Sequence, residues 1–143
     1  MSRPTTPLSS PTSPLSIESI VAVAVGGAVG TAIRHGVTSV DWRPTVAVLM
    51  LNVVGSATLG AIVAHRSSVG RAGIHDRWSA LLGIGLCGGL TTFSAHVVDV
   101  AQQLDDQQWL PALTSLIVTS AFCVVAAGFG FRAVESLGPG PTP

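Results

Sequence analysis

Residues 44–65 read PTVAVLMLNVVGSATLGAIVAH, 22 residues without a charge between Arg43 and Arg66. A helix rises about 1.5 Å per residue, so roughly 20 apolar residues cross the ~30 Å hydrocarbon layer of a bilayer. This stretch is long enough on its own. Outward from it, 21 charge-free residues lie between Arg77 and Asp99 and 25 between Asp106 and Arg132, each again long enough. A fourth gap, of 15 residues between Glu18 and Arg34, suffices once its flanks Ser16–Ser19 and Arg34–His35 lie in the interface. The chain has 143 residues, 48% hydrophobic and 10% charged, with seven arginines, no lysine and a mean hydropathy of +0.59. Soluble domains carry about 25% charged residues, so a soluble coat is missing. The expectation is an all-α, multi-pass integral membrane protein. Its four transmembrane helices are placed near 17–35, 44–65, 78–100 and 110–131. A soluble enzyme is excluded, and so is a nucleic-acid partner, because there is no basic face.

Residues 1–16 are rich in Pro, Ser and Thr and poor in apolar side chains, so too little surface can be buried to offset chain entropy. They read as a disordered tail, followed by a four-helix membrane domain over 17–135 and a flexible end over 136–143. Pro44 and Pro111 suit the first turns of their helices, where a missing N–H costs nothing. Trp42, Trp78 and Trp109 fall at predicted boundaries, where indoles favour the headgroup level. Four spans put Arg3, Arg66, Arg71, Arg77 and Arg132 on one side and only Arg34 and Arg43 on the other. The excess favours cytoplasmic termini.

Inside the spans, Gly26 and Gly30, and Ser56 and Gly60, recur at the four-residue spacing that lets helices approach closely. Asn52 sits near the centre of the second span, where an unpaired amide is costly; glue between helices and a functional role both remain open. The third span carries Gly83-Ile-Gly85-Leu-Cys87-Gly88-Gly89-Leu-Thr91-Thr92-Phe93-Ser94. Paired glycines followed by threonines weaken a helix, and the expectation is a break at mid-membrane depth. Broken membrane helices are recurrent ion sites, carbonyl ends binding cations and N–H ends favouring anions. The alternative is a glycine-rich packing helix whose hydroxyls bond back to their own turns. Ser115 and Thr119, four apart, share one face of the last span. The ordinary expectation for His96 is a satisfied or interfacial histidine, and for Cys87 and Cys123 small packing residues. No carboxylate sits at the centre of a span, as a proton-coupled multidrug-type transporter of four helices would require. No HExxH motif or nucleophile with a placed base supports catalysis.

Three motifs together resemble the CrcB/Fluc family of small bacterial fluoride channels. They are Gly26-Gly27-Ala-Val-Gly30-Thr-Ala-Ile-Arg34, Asn52-Val-Val-Gly55-Ser56-Ala-Thr-Leu-Gly60 and Gly88-Gly89-Leu-Thr91-Thr92-Phe93-Ser94. The resemblance covers about residues 17–131. It implies an antiparallel, dual-topology dimer that exports cytoplasmic fluoride passively and so relieves its toxicity. It also implies a structural sodium ion at the dimer interface, held by the carbonyls of Gly88 and Thr91. The fluoride pathway it implies uses Asn52, Thr92, Phe93, Ser94, Ser115 and Thr119. Some positions depart from the family pattern. Val48 stands where a threonine is common, His96 where a second aromatic is usual, and Ser115 where a tyrosine is expected. These departures, with the arginine bias, favour pairing with an oppositely oriented homologue, or a role as a non-conducting assembly partner.

Overall fold

The computed structural model describes residues 16–40, 44–69 and 76–137. Of the sequence-predicted tails over 1–16 and 136–143, residues 1–15 and 138–143 lie outside the described residues, as do Trp42 and Arg71, whereas Ser16 caps the first helix and Ser136 and Leu137 continue the last. Every described element is helical. Helix α1 is Ile17–Ser39 and α2 is Pro44–Val69. Helix α3 spans 76–90 in three pieces, α-helical Asp76–Ser79, π-helical Ala80–Cys87 and α-helical Gly88–Leu90. Helix α4 is Phe93–Asp105 and α5 is Trp109–Leu137. Four stretches are long and apolar enough to cross a membrane: Ile17–Ser39, Thr45–Ser67, Arg77–Asp105 and Trp109–Leu137. The apolar side chains that face outward from them, such as Val25, Met50, Val124 and Phe129, are at home in lipid and not in water.

The helices run past the charge-free windows because lipid thickness limits the apolar stretch and not the helix. At the end of α1 the Thr38 hydroxyl donates to the Arg34 carbonyl (2.9 Å) and the Ser39 hydroxyl to that of His35 (2.7 Å). Each hydroxyl thus bonds back one turn within its own helix, to a carbonyl that also takes its ladder N–H. At the other end of α1 the Ser16 hydroxyl caps the backbone N–H of Ser19. Pro44 opens α2 and Pro111 lies in the first turn of α5, as their missing N–H groups require. Trp78 and Trp109 sit at span ends and are more than half exposed.

Two tight helix pairs form the bundle. Helix α1 packs on α3, and α2 packs on α5; α4 lies against α5 and α2. Both pairs are backbone-to-backbone contacts. A Cβ added at Gly26 or Gly30 would collide with the carbonyls of Leu81 or Leu86, and one at Gly89 with the carbonyl of Gly27. In the second pair, Gly60 meets the Ala127 carbonyl and Gly130 meets that of Ala57. The small-residue spacings therefore serve packing, as is general where lipid supplies no hydrophobic drive. Arg66 of α2 also donates to the Ser79 hydroxyl at 2.8 Å, tying α2 to the start of α3.

The third span departs from the expected picture in detail. The Gly88–Gly89 pair stays helical, with Gly88 at φ −65°, ψ −37°. The non-helical residues are Thr91 (φ −81°, ψ 152°) and Thr92 (φ −150°, ψ 118°). Gly89 serves the close approach to α1, whereas the β-branched threonines readily take extended backbone.

Candidate functional site

The site is built around Thr92. An extended residue between two helices loses its ladder partners, and a buried peptide group without one costs on the order of 1–3 kcal/mol. Asn52, buried on α2, supplies both partners. Its Oδ1 accepts from the Thr92 N–H at 2.7 Å, and its Nδ2 donates to the Thr92 carbonyl at 3.1 Å. A carboxylate could only accept and a hydroxyl could not span both groups, so the amide is the side chain this backbone requires. The second Nδ2–H of Asn52 has no partner among the described residues. The Thr92 hydroxyl caps α4 by accepting from the Ala95 N–H (3.2 Å), and it also pairs with the Ser94 hydroxyl (3.1 Å).

The same rearrangement frees two carbonyls. In a continuous helix the Gly88 carbonyl would accept from the Thr92 N–H, which is directed to Asn52 instead. The Thr91 carbonyl would accept from the Ala95 N–H, which is directed to the Thr92 hydroxyl. The Thr91 N–H and hydroxyl both donate to the Cys87 carbonyl, at 3.0 and 2.9 Å, so they compete for neither. Gly88 is exposed, with open space where a side chain would stand.

A groove of about 540 Å³ lies on one side of this crossing. Among the residues singled out from the sequence it is lined by Asn52, Gly88, Thr91, Thr92, Phe93 and Thr119. The Phe93 ring is 65% exposed. Thr119 makes no hydrogen bond to the described residues, unlike Thr114 and Ser115, whose hydroxyls bond back to the carbonyls of Leu110 and Ala112. Ser115 therefore stands apart from the groove, with its hydroxyl engaged. A second cavity of about 520 Å³ lies on the other side and holds Ser94 with Arg34, Val48 and Asp99. Thr92 borders both cavities.

The sequence reading does not place Ser56, Ser120 or His96 in the pathway, yet all three line the groove. His96 was expected to be satisfied or interfacial. It is buried, and its Nε2 has no hydrogen-bond partner among the described residues. Its place one turn after Thr92, on the same face of α4, is the signal that could have found it. Cys87 and Cys123, expected as packing residues, also line the groove.

The family profile described as "CrcB-like protein, Camphor Resistance (CrcB)" matches residues 21–131. A protein of Erwinia tasmaniensis, named as the fluoride-specific ion channel FluC, is 35% identical over 79% of this chain and 94% of its own length. The fluoride-specific ion channel FluC 2 of Rhodococcus jostii is 34% identical over 79% of this chain and 96% of its own. FluC of Paramagnetospirillum magneticum is 31% identical over 76% of this chain and 88% of its own. With its four membrane-spanning helices and bacterial relatives of matching length, the chain is a multi-pass bacterial membrane protein, and it belongs to the CrcB family.

Proposed function

We propose that this chain is a subunit of a passive fluoride channel, through which cytoplasmic fluoride leaves down its electrochemical gradient. The observation that carries this reading is the Asn52–Thr92 pairing, which holds a span interrupted beside a polar groove. Its relatives bear the name of fluoride-specific channels. Fluoride is small and tightly hydrated, so a pathway must offer hydrogen-bond donors in place of water. The spare N–H of Asn52, the Thr119 hydroxyl, the one hydrogen left over from the Thr92–Ser94 hydroxyl pair, and the N-terminus of α4 are such groups. The electropositive edge of the exposed Phe93 ring adds a weaker one. No arginine lines the groove among the described residues, so no guanidinium holds the anion too strongly to leave. No carboxylate lines it either, which disfavours proton-coupled exchange of cations.

Thr91 and Thr92 fall half-way along the Arg77–Asp105 span, and we place the interruption at mid-membrane. The freed carbonyls of Gly88 and Thr91 suit a hard cation such as sodium, which takes oxygen ligands. Two oxygens are too few for one chain to hold it. A second chain, related by a two-fold axis in the membrane plane, would supply two more. Sodium bound there would contribute a fixed positive charge at the dimer interface. This arrangement is an antiparallel, dual-topology dimer. Because arginines concentrate on one side of this chain, its partner is an oppositely oriented homologue. Substituting Phe93→Ile tests the pathway. Fluoride flux is expected to fall while the dimer persists on size exclusion, and loss of both together would make Phe93 a packing residue.

A further inference from the structure

We propose that the groove between the starts of α1 and α3 binds one phospholipid of the surrounding bilayer, with a headgroup that joins a phosphate to a primary ammonium, as in phosphatidylethanolamine. The groove has a volume of about 560 Å³ and shares no lining residue with the two cavities that border Thr92. Glu18, Arg77 and Trp78 line its outer end, where the first and third spans begin. Val21 and Val25, four apart on one face of α1, line it further in, with Leu81 of α3. From Glu18 to Val25 a helix rises roughly 10 Å, so the groove runs from headgroup level into the hydrocarbon. Its occupant must present apolar matter at depth and polar groups at the interface, which is the build of a lipid.

The charges select the headgroup. Nη1 of Arg77 lies 4.0 Å from Oε2 of Glu18, beyond hydrogen-bonding distance, and the two side chains are 57% and 77% exposed. An ion pair this exposed adds little stability by itself. The Trp78 ring is more than half exposed beside it and carries an N–H that can only donate. An anionic lipid would satisfy Arg77 and set a like charge against Glu18. A headgroup of both signs satisfies the pair. Its phosphate oxygens accept from the Arg77 fork and the Trp78 indole, and its ammonium donates to the Glu18 carboxylate. Two carbons separate phosphate oxygen from ammonium, a spacing close to that between the two side chains. A choline headgroup carries the same charges but has no N–H to give Glu18.

The test is lipid retention by the full-length chain, read by native mass spectrometry. The protein is released from detergent micelles holding equal amounts of phosphatidylethanolamine, phosphatidylcholine and phosphatidylglycerol with the same acyl chains. Phosphatidylethanolamine should be retained about fivefold over either competitor. Glu18→Gln should cancel that preference and raise phosphatidylglycerol, whereas Arg77→Gln should lower retention of all three. Equal retention of the three lipids by the parent, a preference for phosphatidylglycerol, or variants that select as the parent does overturns the proposal. Should either variant fail to fold, N-methylated ethanolamine lipids offered to the parent decide the matter. Each methyl group removes an N–H donor while the charge stays, so retention should fall stepwise from none to three. Retention indifferent to methylation overturns the proposal. The readout involves no fluoride transport, so either result leaves the channel reading untouched.

Discussion

Asn52 holds Thr92 by both backbone groups, accepting from its N–H at 2.7 Å and donating to its carbonyl at 3.1 Å across 40 residues of sequence. One side chain on α2 thus stands in for the helical ladder where the third span is extended. The carbonyls of Gly88 and Thr91 are freed as a consequence.

Replacing Asn52 by Ala strands both groups of Thr92. The variant should melt about 5 °C or more below the parent in detergent, with fluoride flux lost. Asn52→Asp should not rescue it, since a carboxylate keeps the acceptor, loses the donor and adds a buried charge. Unchanged melting of Asn52→Ala would contradict the assignment of the interruption to this side chain.

The glycines of the two tight helix pairs make a sharper set. Gly30→Val and Gly130→Val place carbon atoms against the backbones of α3 and α2 and should abolish a monodisperse peak on size exclusion. Gly36→Ala and Gly128→Ala meet open space and should behave as the parent, with up to about 1 kcal/mol gained in helix propensity. A Gly130→Val protein that runs as the parent would disprove the α2–α5 packing.

Much of this was legible in the sequence, and the reason is physical. Spans follow from length and composition, because the cost of charge in lipid depends on little else. Asn52 stood out for the same reason. The π-helical turn over Ala80–Cys87 was not legible, since a shift from i+4 to i+5 bonding leaves no compositional mark. The expectation of a break rested on paired glycines together with the threonines after them, and the Gly88–Gly89 pair stays helical. Their low helix propensity was outweighed by the contact Gly89 makes with Gly27, and the extended residues are Thr91 and Thr92. Ser115 and Thr119 look alike as hydroxyls four residues apart, yet one bonds to its own helix and the other faces the groove. Only the packing of α5 on α2 separates them. His96 was hidden because burial and partnership are tertiary properties.

The released carbonyls of Gly88 and Thr91 predict dependence on sodium. Protein purified and reconstituted with an organic cation in place of sodium should lose fluoride flux, and sodium added back should restore it. Flux that survives prolonged exhaustive removal would show that these carbonyls need no cation.

The most direct measurement is fluoride efflux from liposomes, read with a fluoride electrode, for this chain alone and together with an oppositely oriented CrcB homologue. Fluoride should leave without any proton gradient while chloride is retained, in the pair if not in the single chain. Silence from both preparations, or efflux that requires a proton gradient, would contradict the account.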